Sequence, residues 1–194
     1  IVYGCNIGDD CSDRVGLVTL MVNLQQPVAG RNLRRMTMPT EIERKFLVTG
    51  HGWRGGQFSD YRQGYLSIDK ERNVRVRIAG SEAFITIKGI THNVSRPEYE
   101  YAIPVADAEE MLDSLCLQPL ITKRRYRIEH RGMTWEVDEF TGSNSGLVVA
   151  EIELEHEEQS FEAPDWIGDE VTNDSRYYNA SLVDAPYSSW KESL

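Results

Sequence analysis

The chain has little cysteine, no long apolar run and fewer basic than acidic residues, and each shortage removes a class of protein. Only three of its 194 residues are cysteine, Cys5, Cys11 and Cys116. That odd, unpatterned set makes no disulfide framework and suits a reducing, cytoplasmic setting. No apolar stretch approaches the roughly 20 residues a membrane-spanning helix needs, so no membrane partner is expected. Lysine and arginine number 21 against 31 aspartate and glutamate, a formal net charge of −10. Nucleic acid is therefore not the expected main partner, because phosphate backbones are held by clustered Lys and Arg. The sequence also lacks a GxxxxGKS or GxxxxGKT loop, HExxH, CxxC and GxSxG, which removes the commonest nucleotide-loop, zinc-protease, thiol-redox and serine-hydrolase signatures. His51, His92, His130 and His156 are scattered without ligand spacing.

What is present suits one globular domain. A chain of this length buries roughly 70% of the surface its unfolded form exposes, so a core needs no staple. Residues 1–37 carry no strand-length alternation and hold two of the three cysteines. They read as a leader outside the domain, upstream-translated or a flexible extension, with the domain over 38–194. The leader has four arginines against three aspartates, so the negative charge belongs to the rest.

From Glu41 onward the dominant period is two, the mark of strands whose alternate side chains face opposite sides. Eight runs show it: Glu41–Val48, Tyr61–Ile68, Asn73–Ile78, Ala83–Lys88, Glu98–Ile103, Ile121–Glu129, Met133–Phe140 and Leu147–Glu155. Turn residues such as Ala79-Gly80-Ser81 suit antiparallel hairpins. Met111, Leu112 and Leu115 at helical spacing predict a helix over Ala106–Leu117, stopped by Pro119. A second helical piece is predicted over Pro164–Leu182. The fold class is mainly β with flanking helices.

One face of most strands is almost pure charge. Glu41, Glu43 and Lys45 share a face of the first run, and Arg75 and Arg77 share one of the third. Glu98 and Glu100 follow on the fifth, Lys123, Arg125 and Arg127 on the sixth, Glu136 and Asp138 on the seventh, Glu151, Glu153 and Glu155 on the eighth. The opposite faces carry residues such as Ile42, Val74, Val76, Val137, Ile152 and Leu154. Two arrangements satisfy this pattern. The sheet closes with its charges facing inward, or the charges form a solvated face with weak cross-strand ion pairs.

Glu41-Ile-Glu-Arg-Lys45 resembles the ExExK signature of the CYTH superfamily, the triphosphate tunnel metalloenzymes. The resemblance continues through Arg62-Gln-Gly-Tyr-Leu66, Val74-Arg-Val-Arg77, Thr86-Ile-Lys88, Ser95-Arg-Pro-Glu-Tyr-Glu100, Lys123-Arg-Arg-Tyr126, Val137-Asp138, Glu151-Ile-Glu153 and Ser175-Arg-Tyr-Tyr-Asn179. It covers about residues 38–182 and is most similar to bacterial inorganic tripolyphosphatases. It implies a closed, eight-stranded antiparallel β-barrel that hydrolyses a small triphosphate with Mg²⁺ or Mn²⁺, and it allows a homodimer. Hydrolysis of nucleoside or thiamine triphosphate, cyclisation of ATP as in class IV adenylyl cyclases, and polyphosphate binding without turnover are the alternatives.

The roles implied by the resemblance also make chemical sense. A polyanion needs guanidinium and ammonium groups, with Arg favoured for its planar fork. Arg75, Arg77, Lys88, Lys123, Arg125 and Arg176 match the phosphate-binding positions, and Arg96 is a weaker match beside Pro97. Carboxylates beside a polyanion call for cations between them, and Glu41, Glu43, Asp138, Glu151 and Glu153 match the metal positions. Lys45 and Tyr65 match a catalytic dyad. Charged neighbours that disfavour the ammonium form would let such a lysine act as a base.

Overall fold

The computed structural model describes residues 42–69, 71–90 and 97–192. The leader, Glu41 and Arg96 lie outside the described residues. The eight expected strands are all present: β1 (Ile42–Val48), β2 (Gln57–Asp69), β3 (Arg72–Ala79), β4 (Glu82–Lys88), β5 (Glu98–Ile103), β6 (Ile121–His130), β7 (Met133–Phe140) and β8 (Val148–Leu154). The helix expected between the fifth and sixth is α1 (Val105–Ser114).

Two expectations need correction. The sheet is not a closed eight-stranded barrel. It is an open antiparallel sheet of nine strands in the order β5-β4-β3-β2-β6-β7-β8-β1-β9. Closure would require β5 to pair with β1, but that edge of β1 is taken by β9 (Ile167–Glu170), with Phe46 opposite Glu170 and Val48 opposite Ile167. An Arg44–Glu170 ion pair reinforces the contact. The second helical piece, over Pro164–Leu182, is likewise not one helix. It supplies β9, a single 3₁₀ turn at Ser175–Tyr177 and the short α2 (Ser181–Asp184). Asp174 starts the 3₁₀ turn by accepting a hydrogen bond from the Arg176 backbone N–H.

The two faces of the sheet are covered differently. Outward residues of β3 and β4 pack under α1 through Val76, Ala83, Ala108, Leu112 and Cys116, and full burial of Leu112 alone contributes about 1.5–3 kcal/mol. Gly64 allows the close approach of the chain after α1, since a Cβ there would lie 2.7 Å from the Cys116 Cβ. Outward residues of β1, β6, β7 and β8 form an aromatic-rich cluster with Trp53, Phe161 and Trp166 from the loops. Over part of the other face, Leu182 and Val183 of α2 pack on Tyr65, Ile121, Phe140 and Val149. That packing plugs one part of the face with apolar groups and leaves the rest to charge.

The β6–β7 hairpin sets the charge register. Arg131 and Gly132 both have positive φ, 52° and 79°, the two-residue turn whose twist suits a hairpin. It places Arg125 opposite Asp138 and Arg127 opposite Glu136.

Candidate active site

Burial decides between the two arrangements of the charged strands. Lys123 is 3% exposed, Asp138 1%, Glu151 7% and Lys45 8%. A solvated face with weak ion pairs does not bury such groups. Buried charges must be paired, and these are.

On the β6–β7–β8–β1 side the pairing is a network. Arg125 on β6 reaches Asp138 through Nε (2.7 Å) and Nη2 (2.6 Å), Glu151 through Nη2 (2.7 Å), and Glu136 through Nη1. Lys123 bonds Asp138, and Lys45 bonds Glu151 with Glu43 at 3.7 Å. Direct cross-strand pairing of Lys45 with Glu151 and of Glu43 with Glu153 brings β1 and β8 into this cluster.

The electrostatics follow from these contacts. Burial alone would lower the Lys45 ammonium, but Glu151 and Glu43 outweigh it and hold the group protonated above its ordinary range. This direction is opposite to the one expected of a ready base. Burial opposes Glu151 as a carboxylate, yet Lys45, Arg125 and Lys123 keep it well below the usual carboxylate range. Asp138 is lowered by Arg125 and Lys123 against its own burial. Burial and then Arg125 push Lys123 down to about 8, against the pull of Asp138.

Glu43 is the exception among the acids. Its side chain is 38% exposed. Desolvation by the surrounding protein and then the Glu151 carboxylate push it up to about 7, despite Lys45. A nearby cation would relieve the repulsion between the two carboxylates. The sign of the linkage gives a test. Because the folded value of Glu43 lies above its ordinary 4.5, its contribution to stability is complete below about 4.5 and lost as pH rises through about 7. With EDTA present, Glu43→Gln melts a few degrees above the parent at pH 8 and level with it at pH 5, as read by thermal denaturation. A lower melting point at pH 8 would make Glu43 a plain salt-bridge partner of Lys45.

On the β3–β4–β5 side the pairs are looser. Arg77 reaches Glu100 through Nη2 (3.0 Å), Arg75 donates to Thr86 Oγ1 (3.1 Å), and Thr86 donates to Glu100 (2.8 Å). Lys88 pairs with Glu98 at 2.7 Å. The Nε atoms of Arg75 and Arg77 are buried without an acceptor among the described residues. Burial, with Arg75 as neighbour, lowers Arg77 below its ordinary value against the pull of Glu100. Two buried guanidinium N–H groups aimed at no acceptor suit an anion.

The sequence-derived candidates therefore fall into three groups. Lys45, Glu43, Lys123, Arg125, Asp138 and Glu151 interlock. Arg75, Arg77 and Lys88 share their face two or more strands away. Arg176 stands apart, bound to Asp174 and 66% exposed, and Glu153 shares the Glu151 face without an ion pair among those described. Tyr65 belongs to β2, which lies between β3 and β6 and does not touch β1 in the sheet order. It is 4% exposed, and its hydroxyl accepts from Gln63 Nε2 at 3.4 Å. Tyr61, Gln63 and Thr86 are inner-face residues that charge patterning passes over because they are neutral. Their parity with Tyr65, Arg75 and Lys88 is the signal that finds them.

A divalent cation fits this donor chemistry in a limited way. Among the described residues no three His, Cys, Asp or Glu side chains form a ready-made cage. The Glu43–Glu151 pair does offer hard oxygen donors, and Mg²⁺-like ions are commonly held by one or two carboxylates plus phosphate oxygens.

Comparison with known proteins bears on the family. The CYTH domain model matches residues 39–187. An inorganic triphosphatase of Acetivibrio thermocellus is 51% identical over 156 residues, which is 80% of this chain and 100% of that protein. Its counterpart from Nitrosomonas europaea is 39% identical over 148 residues, 74% and 97% of the two chains. The crystal structure of the inorganic triphosphatase NE1496 superposes with a TM-score of 0.58 at 36% identity, covering 75% of this chain and 95% of that one. With the match running through every strand of the sheet and both relatives covered almost end to end, the chain belongs to the CYTH domain family.

Proposed function

We propose that the chain is an inorganic triphosphatase that hydrolyses tripolyphosphate with the help of a divalent metal ion, Mg²⁺ or Mn²⁺. The observation that carries this reading is the coexistence on one face of buried Arg75 and Arg77 Nε–H groups that have no acceptor among the described residues with two carboxylates gathered at Lys45, Glu151 bonded to it and Glu43 at 3.7 Å. The relatives named as inorganic triphosphatases support the substrate.

In this reading Arg75, Arg77, Lys88, Lys123 and Arg125 take the phosphoryl oxygens, exchanging their carboxylate partners for substrate. Glu43 and Glu151 hold the cation, with Asp138, Glu153 and Glu41 as further oxygen donors. When bound, the cation neutralises charge on the phosphoryl groups and on the attacking water. Catalysis of this kind is mainly positioning and charge stabilisation. Water attacks the terminal phosphorus, the bridging P–O bond breaks, and orthophosphate and pyrophosphate leave. Lys45 and Tyr65 handle the water's proton. Lys45 accepts it only after its own ammonium has released a proton to solvent, which becomes favourable once substrate and cation have met the charges of Glu43 and Glu151 that otherwise keep it protonated.

The test is phosphate release from tripolyphosphate, ATP, thiamine triphosphate and pyrophosphate, each with Mg²⁺, Mn²⁺ or EDTA. Tripolyphosphate is expected to be the preferred substrate and EDTA to abolish turnover. Turnover that survives EDTA would sink the metal assignment, and preference for ATP would move the substrate class.

A further inference from the structure

Between the two basic groups of the face lies β2, which contributes no charge to it. Sheet order places β2 between β3, bearing Arg75 and Arg77, and β6, bearing Lys123 and Arg125. The β2 residues in register with these strands on this face are Ser59, opposite Arg125, Tyr61, opposite Lys123, Gln63, opposite Arg77, and Tyr65, opposite Arg75. Three cations lie over the Tyr61 ring: Arg77 Cζ at 5.7 Å from its centroid, Arg125 Cζ at 5.4 Å and Lys123 Nζ at 5.9 Å. Arg77 also lies over Phe84 at 5.4 Å, and Lys123 over Phe140 at 5.4 Å. Rings and cations thus alternate from β4 to β7, with Tyr61 at the centre.

We propose that Tyr61 is a positioning residue for the anion site, its ring holding Arg77, Lys123 and Arg125 apart and in place before a phosphorylated ligand arrives. This rests on the triphosphate reading above. The three cations come from two strands and repel one another, and the negative face of an aromatic ring attracts cations within about 6 Å. A guanidinium resting on a ring leaves its in-plane N–H groups for oxygen acceptors, and Arg77 has a buried Nε–H with none among the described residues. Each of the three cations also pairs with a carboxylate, Arg77 with Glu100 and Lys123 and Arg125 with Asp138. The ring adds a contact between them that, being neutral, does not repel the substrate. Cations fixed beforehand lose less entropy when phosphate binds.

The experiment is steady-state kinetics on tripolyphosphate with saturating Mg²⁺, together with the shift in melting temperature that tripolyphosphate produces, for Tyr61→Leu, Tyr61→Phe and Tyr61 replaced by mono-, di- and trifluorinated phenylalanine. Tyr61→Leu is expected to raise KM roughly tenfold or more and to shrink the ligand-induced melting shift, with kcat changed by less than about threefold. Phenylalanine restores most of the affinity, and stepwise fluorination, which drains the ring face at nearly constant shape, raises KM stepwise. If Tyr61→Leu does not fold, the fluorinated series alone decides. KM indifferent to fluorination would overturn the proposal, as would a Phe variant as impaired as the Leu variant, since the hydroxyl would then be the agent. A parent protein that neither hydrolyses tripolyphosphate nor is stabilised by it overturns the triphosphate reading itself, whatever the variants do.

Discussion

Lys45→Met and Tyr65→Phe each lower turnover of tripolyphosphate by on the order of 10² or more, the usual scale for groups that move protons in the transition state, while tripolyphosphate still raises the melting temperature. The retained stabilisation is expected because neither side chain holds the backbone in place. Lys45 donates its backbone N–H to Thr172 Oγ1 at 3.0 Å and accepts from the Val171 N–H at 2.8 Å. The Tyr65 carbonyl accepts from the Leu117 N–H at 2.9 Å, and its ring keeps its packing in the phenylalanine variant. The double variant loses far less than the product of the single losses if the two act as one unit. Full turnover in Tyr65→Phe would remove the dyad and leave the network around Glu43 and Glu151 to activate water.

The strands and their charged faces were legible in the sequence because a period of two survives any tertiary arrangement. Val74-Arg-Val-Arg77 reads the same on an open or a closed sheet, so closure was not legible. It depends on which strand takes the free edge of β1, and Ile167-Gly-Asp-Glu170 has too few apolar residues to announce itself as that strand. Trp166, Val171 and Tyr178 around it suggested a helix, and pairing with Phe46 and Val48 overrode that local pattern. Burial was equally hidden. Alternation says that Lys123 and Arg125 share a face but not that they are buried on it. The sign of the Lys45 shift turned on the same point, since register alone places Glu151 opposite it.

Arg125→Ala and Arg77→Ala are expected to differ in stability, which separates a substrate-binding cation that also holds the fold together from one kept for the substrate alone. Arg125 is 11% exposed and serves Asp138, Glu136 and Glu151 together. Removing it leaves buried carboxylates facing one another, and loss of one partner from a buried ion network costs about 3–5 kcal/mol. For a chain of this size that is a drop in melting temperature on the order of 10 °C, partly recovered when Mg²⁺ or Mn²⁺ is added to neutralise the stranded acids. Among the described residues Arg77 pairs only with the half-exposed Glu100 and its Nε has no acceptor, and it is disfavoured as a cation by its burial and by Arg75. Its removal relieves repulsion and shifts stability by less than about 1 kcal/mol. The same change deletes a charge-assisted bond to phosphate worth about 1.5–3 kcal/mol, so KM for tripolyphosphate rises by roughly 10- to 150-fold. Thermal denaturation and steady-state kinetics on the two variants measure both arms. An Arg77→Ala protein that melts far below the parent with an unchanged KM would reassign that guanidinium to structure.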